Sequence, residues 1–475
     1  MDLKGKVLSG LKWSIFAKAI TQVFSWVSTF LVIRMLSPED YGIMALAMTF
    51  VLFGTLFSSG GFITSIVKTQ LKDKQQSSQM FTISIIVNSL IAFLVMFFSE
   101  DIGFFYDNDQ LQGVLVVMAA ASLLNSFLIV PGAYLDIDMN FKGKAICDSV
   151  AALVAAVVAL VVAYQGGAFW ALVYSYVTQQ FIRVIGYQII AKSAYFFTLN
   201  FEGSRSILKF AYSNQVNGLL WFGYNQIDTI LIGKFLGINI LGIYNVAKDV
   251  ASLPMMKVAA IMNQVGFSAF ASLKEDKSAA GYYLEKSLKL IAIFSFPIFF
   301  GISSVSNEII LLLIGEKWLS AAPIISILCF VFPFRMMNTN IQLYANALNR
   351  PKFNLQNTTM MSVIMIALMF WATQISLIVT ALTWLTGFVC IFLIILFRLL
   401  VNFSLQKKTV LVWVVPFIIS LCMWLVIYFA NSYLLEYNVN PLISMIIKMT
   451  LGALAIIPLY YKLYAVELNS LLKIK

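Results

Sequence analysis

Long apolar runs alternate with short polar segments along the whole chain. Most runs hold about 18–25 residues, a length that crosses a hydrocarbon core of about 30 Å at 1.5 Å per helical residue. Pro254 is a candidate break inside the eighth run. The runs predict fourteen transmembrane helices, at 12–34, 42–66, 79–98, 111–133, 146–164, 168–190, 210–232, 240–265, 284–305, 321–345, 355–372, 376–397, 410–430 and 441–462.

The amino-acid composition also indicates a protein that is surrounded by the lipid bilayer. Of 475 residues, 61% are hydrophobic and 11% are charged, whereas an ordinary soluble domain has about 25% charged residues. A soluble fold of this size would lack the polar surface to cover itself. The first apolar run is too long for a signal peptide and has no small-residue cleavage site, so we interpret it as an uncleaved helix. The predicted fold class is therefore an all-α polytopic membrane helix bundle.

The distribution of Lys and Arg predicts the orientation of the helices. Most of the 32 basic residues lie in every second connection, as Lys68, Lys407 and Lys408 do. The alternate connections carry few, and one of them is wholly acidic (Glu100, Asp101, Asp107, Asp109). Because positive charge accumulates on the cytoplasmic side, we expect both termini in the cytoplasm.

The sequence lacks the residues and motifs that several classes of function usually require. The net charge of +11 is spread over short loops without a nucleic-acid-binding motif, so no nucleic-acid partner is expected. There is no histidine, which removes the commonest general base and metal ligand. The four cysteines lie singly, and no phosphate-binding GxxxxGK[ST] loop occurs. We therefore expect no cofactor and no metal, and an enzyme is disfavoured because every loop is short.

A weak internal repeat occurs at an offset of 200 residues. Leu36-Ser-Pro-Glu-Asp-Tyr-Gly42-Ile43 aligns with Leu236-Gly-Ile-Asn-Ile-Leu-Gly242-Ile243. An even number of predicted helices separates the copies, so they share one orientation, as in parallel repeats. This predicts two six-helix lobes, at 1–192 and 193–405, followed by two additional helices at 406–475.

The same two stretches carry a family resemblance. The run Leu36 to Gly42 and the run Asp228 to Ala247 resemble the polysaccharide-transporter branch of the MOP exporter superfamily, which includes Wzx-type flippases of O-antigen and capsule units. The resemblance extends from about residue 5 to about residue 400. It implies a bacterial inner-membrane protein whose lobes enclose a cavity that opens alternately to each side. The implied cargo is an undecaprenyl-diphosphate-linked oligosaccharide, flipped from the cytoplasmic to the periplasmic leaflet alongside other polysaccharide-assembly proteins.

Polar side chains inside apolar helices are the candidates for lining such a cavity. A charge at the bilayer centre costs about 2.5–3.5 kcal/mol on insertion scales, so each one needs a partner or water. The candidate substrate-binding residues are Lys18, Gln22, Asn217, Asn225, Lys248, Arg335 and Gln342. A lysine near a helix end can instead snorkel to the interface, amides can bond between helices, and Arg335 can pair with Asp228 or Asp249.

Other intramembrane charges have different interpretations. Asp228 and Asp249 are candidates for coupling transport to protons or sodium. Arg183 and Lys448 lie near helix ends, where an interfacial position is expected. Whether Lys257 faces the cavity is left open.

Two further function classes compete with the flippase. A MATE-type multidrug/cation antiporter would favour acidic cavity residues, whereas the intramembrane charges here are mostly basic. A membrane polysaccharide polymerase or ligase would need a large extramembrane loop and clustered acids or histidines, which the chain lacks.

Overall fold

A computed structural model describes residues 24–59, 66, 73–202, 205–272, 276–437 and 439–472. Regular structure in this part of the chain is helical throughout, which confirms the predicted all-α bundle. The long helices are α1 Phe24–Met35, α2 Pro38–Ser59, α3 Lys74–Phe97, α4 Gln110–Ile137, α5 Phe141–Tyr164, α6 Trp170–Ala191, α7 Arg205–Phe235, α8 Ile238–Ser272, α9 Lys277–Ser304, α10 Ala322–Ala347, α11 Pro351–Ala372, α12 Leu377–Phe403, α13 Val414–Glu436 and α14 Pro441–Leu472.

Ten spans among the described residues are long and apolar enough to cross a membrane. Of the other four helices, α1 is apolar but has only twelve described residues, and α6, α7 and α8 are long enough but more polar. Helices α7 and α8 carry several of the candidate cavity residues. The chain is therefore a multi-pass membrane protein. Each of the fourteen predicted segments overlaps one of the long helices.

Helix α8 differs from the prediction at Pro254. It runs without interruption from Ile238 to Ser272, so the candidate break at this proline does not occur. Proline removes one amide donor, but in a membrane neighbouring helices and local adjustments satisfy the freed carbonyl. The predicted end at residue 265 was also too early, because Asn263 and Gln264 lower the hydropathy just before that point.

The chain divides into two compact units, Met1–Gly242 and Ile243–Lys475. Unit 1 contains α1 to α7 and the first turn of α8, and unit 2 contains the remainder of α8 and α9 to α14. The lobes expected at 1–192 and 193–405, with the additional helices at 406–475, stay a prediction.

Small residues on one face of α5 form part of the unit 1 core. Ala151, Ala155, Ala159 and Ala163 recur every fourth residue and are all buried. Positions four apart share a helix face, and small side chains let membrane helices approach closely. This stripe allows α5 to pack against α6 and α1.

A polar face of α3 holds the connection that follows α6. The Ser78 hydroxyl accepts a hydrogen bond from the Phe196 amide at 3.1 Å, and Thr82 accepts one from the Thr198 amide at 2.9 Å. The Gln79 side-chain amide donates to two backbone carbonyls of the same connection, at residues 200 and 202. The segment at 192–202 is therefore fixed along α3 rather than forming a separate domain.

Aromatic side chains dominate the core of unit 2. Phe296 of α9 contacts Phe334 of α10 and Phe417 of α13, with ring centroids 5.3 and 5.4 Å apart. Trp413 lies 5.5 Å from Phe334. Aromatic pairs at these separations add about 0.5–1.5 kcal/mol beyond their buried area. This cluster joins three helices of unit 2.

Candidate functional site

The turn between α1 and α2 is built around Asp40. One carboxylate oxygen, Oδ2, accepts hydrogen bonds from the Ser37 amide and the Ser37 hydroxyl, both at 2.7 Å. The other oxygen, Oδ1, accepts from the Phe169 amide at 3.0 Å, in the turn between α5 and α6. Ser37 also accepts from the Asp40 amide at 3.2 Å, which caps α2 reciprocally. Asp40, one of the two acidic residues of the first motif, therefore joins two turns at one end of unit 1.

The glycines of the two motifs meet at the backbone. A methyl group at Gly42 would collide with the carbonyl oxygen of Ile238, and one at Gly242 would collide with that of Pro38. The contact is reciprocal at the same offset of 200 residues that relates the motifs. Only glycine permits such an approach. Each motif glycine thus makes room for the first turn of the helix that carries the other.

The connection between α3 and α4 contacts the end of α7 near this crossing. Burial raises the pKa of Tyr106 to about 12, so the phenol stays protonated and donates to the Ile230 carbonyl at 3.5 Å. The Lys234 ammonium donates to the Phe105 carbonyl at 2.6 Å and lies 3.7 Å from the Asp107 carboxylate. The acidic connection predicted from the sequence is therefore partly neutralised by α7.

Asn225 and Asp228 lie on α7 inside unit 1. Asp228 is completely buried, and its Oδ1 accepts from the Thr229 amide at 2.8 Å. Asn225 is also buried and donates to the Trp221 carbonyl at 2.9 Å. Part of the hydrogen-bonding capacity of both residues is thus used within their own helix.

Arg335 of α10 is held by aromatic rings. Its guanidinium carbon lies 4.9 Å from the ring centroid of the buried Trp384, 5.7 Å from that of Phe332 and 6.0 Å from that of Phe388. A guanidinium stacks well on such faces. Arg335 itself is half-buried. The arrangement fixes where the cation lies within unit 2.

The other candidates in unit 2 lie on α8 and α10. Lys248 of α8 is half-buried, with its ammonium 5.8 Å from the Tyr244 ring centroid. Its neighbour Asp249 is exposed, and Gln342 is half-buried on α10, two turns beyond Arg335.

Four residues named from the sequence lie outside the described part of the chain. Lys18 and Gln22 precede the described residues, and the side chains of Asn217 and Lys257 are not described either. The predicted set of cavity residues therefore stays a prediction.

Lys448 corrects the sequence interpretation. An interfacial position was expected, but Lys448 is only 1% exposed and its ammonium lies 2.5 Å from Oε1 of the buried Glu308. Ser444 donates to the same oxygen at 2.8 Å. The pair joins α14 to the short helix Ser306–Ile309 after α9. The sequence offered two signals for this pair. Lys448 lies seven residues after the start of α14, and Glu308 lies close to the end of α9.

Arg183 is also paired, although it stays half-buried. Its Nε lies 2.9 Å from Oδ1 of Asp148, which accepts a second hydrogen bond from the Tyr187 hydroxyl at 2.9 Å. This group links α5 and α6. The sequence alone did not identify Asp148 as a partner.

Comparison with known proteins agrees with the motifs. The family described as "Polysaccharide biosynthesis protein" matches residues 31–323. The lipopolysaccharide biosynthesis protein WzxC of Escherichia coli (strain K12) is 23% identical over 352 residues, which cover 72% of this chain and 70% of that protein. The teichuronic acid biosynthesis protein TuaB of Bacillus subtilis (strain 168) is 26% identical over 347 residues, covering 70% of each chain.

Solved structures share the fold. The lipid II flippase MurJ, in an inward closed conformation, superposes with a TM-score of 0.77 at 16% identity, over 96% of this chain and 99% of that one. An inward-facing MATE-family multidrug transporter of the MOP superfamily gives 0.52 at 13% identity, over 87% and 99%. The family match spans more than half of the 475 residues. The chain therefore belongs to the polysaccharide biosynthesis protein family.

Proposed function

We propose that this protein is a flippase that moves an undecaprenyl-diphosphate-linked oligosaccharide from the cytoplasmic to the periplasmic leaflet of the bacterial inner membrane. The family match and the relatives WzxC and TuaB, named for lipopolysaccharide and teichuronic acid biosynthesis, support this assignment. The transport mode is alternating access of the two predicted lobes around a cationic cavity.

The physical requirement is to replace water around a diphosphate. Transferring a charged group into hydrocarbon without compensation costs several kcal/mol or more. Cations and amides inside the bundle provide that compensation, because charge-assisted hydrogen bonds to phosphate oxygens are among the stronger ones. Lys18, Lys248 and Arg335 are the proposed cations. Gln22, Asn217, Asn225 and Gln342 are the proposed amides beside them.

The observation that carries the proposal is the setting of Arg335. Its guanidinium is oriented by Trp384, Phe332 and Phe388 yet remains half-buried within a membrane span. Lys448, by contrast, is fully buried against Glu308. A cation that binds a passing anion must keep part of its surface accessible, as the half-buried Arg335 does.

Direction can come from the membrane potential. Moving one negative charge outward across an interior-negative membrane releases about 2.3 kcal/mol per 100 mV. Asp228 and Asp249 are the proposed carboxylates if protons or sodium are exchanged. A MATE-type antiporter of cationic drugs would favour acidic cavity residues, and a polymerase or ligase would need an extramembrane catalytic loop.

The test compares three variants in cells that lack the chromosomal copy. Arg335→Gln removes the cation, Arg335→Lys keeps the charge without the planar fork, and Lys462→Gln removes an exposed charge near the end of α14. The measurements are surface polysaccharide, accumulated lipid-linked intermediate and the amount of protein in the membrane.

We expect Arg335→Gln to reduce surface polysaccharide at least tenfold and to raise the lipid-linked intermediate. Arg335→Lys should retain part of the activity, and Lys462→Gln should retain all of it. Full activity of Arg335→Gln at normal protein level would refute a cationic site at this residue. A change in drug susceptibility with normal polysaccharide would favour the antiporter.

A further inference from the structure

A second basic site lies where α10, α11 and α12 end or begin. The turn between Ala347 and Pro351 contains Asn349 in the left-handed region, with φ of 55°, and it opens a cavity of about 330 Å³. This size falls within the range of small-ligand pockets, about 300–1,000 Å³. Arg335 lies twelve residues before the end of α10, which is about 18 Å along the helix. The cavity is therefore separate from the proposed transport residue.

Positive charge surrounds this cavity. Arg350 and Lys352 line it and are exposed. In the part of the chain that the structure describes, no carboxylate lies within ion-pair distance of either side chain. Two positive charges placed side by side without an acid repel each other. An anion between them would remove that repulsion.

The cavity also presents ordered polar groups. Gln356 lines it and accepts a hydrogen bond from the Arg398 guanidinium at 2.6 Å. Arg398 has a second donor, Nε, that is buried and makes no hydrogen bond among the described residues. Asn402, also in the lining, donates to the Arg398 carbonyl at 2.8 Å. A third cation is thus held beside the two exposed ones.

Aromatic packing fixes the position of the basic turn. The Arg350 guanidinium lies 5.9 Å from the Phe403 ring centroid. Phe403 packs in turn against Phe353 and Tyr344, at 5.3 and 5.2 Å between centroids. A guanidinium stacked in this way loses less freedom when it forms hydrogen bonds. The start of α11 adds the favourable end of a helix dipole.

We propose that this cavity binds a phosphate group at the membrane surface. Arg350 supplies a planar fork for two phosphate oxygens, while Lys352 and Arg398 supply further positive charge. The ligand class is a phosphate anion, and its two sources are the headgroup of an anionic phospholipid and a free phosphate in solution. The site does not depend on the identity of the transported cargo.

The experiment uses the purified full-length protein and two variants with equal loss of charge. Arg350→Gln/Lys352→Gln removes the pocket cations. Lys407→Gln/Lys408→Gln is the matched control, because it removes two exposed lysines on the helix Lys407–Leu411 that do not line the cavity.

Two arms separate the sources. In the first, the protein in nanodiscs of phosphatidylcholine is titrated with phosphatidylglycerol, and retained lipid is counted by native mass spectrometry. In the second, delipidated protein in neutral detergent is titrated with inorganic phosphate and binding is followed by phosphorus NMR. Binding in the first arm alone identifies a lipid headgroup, and binding in the second identifies free phosphate as a ligand.

The pocket variant should lose at least tenfold in affinity in whichever arm the native protein binds, and the control should change less than twofold. Thermal unfolding in the same detergent checks that both variants are folded. Equal losses in the two variants would overturn the proposal, because general surface charge would then explain the binding. Absence of binding by the native protein in both arms would overturn it as well. Neither result bears on polysaccharide flipping.

Discussion

Two ion pairs of similar length differ sharply in burial. Lys448 and Glu308 lie 2.5 Å apart with side chains 2% and 8% exposed, whereas Lys144 and Asp136 lie 2.7 Å apart with side chains 32% and 25% exposed. Removing one member of a buried pair leaves an uncompensated charge, which costs about 3–5 kcal/mol. An exposed pair contributes about 0–1 kcal/mol.

Lys448→Met should therefore destabilise the protein strongly. The Glu308 carboxylate would stay buried without its cation, and the loss should approach the roughly 3–5 kcal/mol typical of broken buried pairs. Lys448→Met/Glu308→Met should recover most of that loss, since two apolar side chains replace the pair. The measurement is thermal unfolding of the purified protein in one detergent.

Lys144→Met provides the matched comparison and should lower the unfolding temperature only slightly. If Lys448→Met and Lys144→Met lower it equally, the ion pair with Glu308 does not anchor α14. The sequence predicted an interfacial position for Lys448 and could not identify Glu308 as its partner, because 140 residues separate the two positions. Only tertiary packing brings them together.

At the scale of helices, the crossing of α2 and α8 depends on two glycines. Gly42 and Gly242 each face a carbonyl oxygen of the other helix, of Ile238 and Pro38 respectively. Backbone oxygens cannot move aside as a flexible side chain can, so a methyl group at either glycine must push the helices apart. Overpacking of this kind costs about 1–3 kcal/mol.

Gly242→Ala should therefore lower the stability of unit 1, and Gly301→Ala should not. Gly301 lies inside α9 with no neighbouring atom within 4 Å of the place that an alanine methyl group would occupy, so alanine there gains about 1 kcal/mol of helix propensity. Detergent-extracted protein is compared by thermal unfolding and size-exclusion chromatography. Equal melting of Gly242→Ala and the native chain would show that the crossing is loose.

The positions of the helices followed from the sequence more reliably than their ends. Apolar runs identify spans because hydrocarbon demands about 20 apolar residues per helix, and each predicted run overlaps a helix in the described part of the chain. The end of α8 was missed because Asn263 and Gln264 lower the hydropathy while the backbone continues to Ser272. The motif Leu36 to Gly42 was recognised as a turn, but the bonds of Asp40 to Ser37 and Phe169 needed coordinates.

For the candidate cavity residues, prediction from the sequence is limited in a different way. The spacing of polar residues predicts a shared face on one helix, such as Asn225 and Asp228 on α7, but it does not tell whether that face meets water or another helix. Asp228 proved completely buried, whereas Arg335 remained half-buried. Burial depends on the neighbouring helices, which a single sequence does not specify.

At the scale of the whole molecule, charge and hydropathy are two independent indications of which helices cross the membrane. Among the described residues, ten spans are long and apolar enough to cross a membrane, while α6, α7 and α8 carry enough polar residues to fall outside that group. The basic loops predict that these three also cross, because otherwise the bias of Lys and Arg toward one side would be lost. Polar faces on α7 and α8 can lie inside the protein, where they avoid hydrocarbon.

Three single-cysteine variants test this topology. Asp109→Cys lies before α4, Asn239→Cys lies at the start of α8, and Lys407→Cys lies after α12, all at exposed positions. They are placed in a chain whose four native cysteines are replaced by alanine. A membrane-impermeant maleimide applied to intact spheroplasts should label Asp109→Cys and Asn239→Cys, and it should label Lys407→Cys only after permeabilisation. Protection of Asn239→Cys would mean that α7 and α8 do not both cross, and labelling of Lys407→Cys in intact spheroplasts would reverse the sidedness that the positive charges predict. The first result would remove α7 and α8 from the proposed pathway, because a group that moves from one leaflet to the other must pass side chains that reach both.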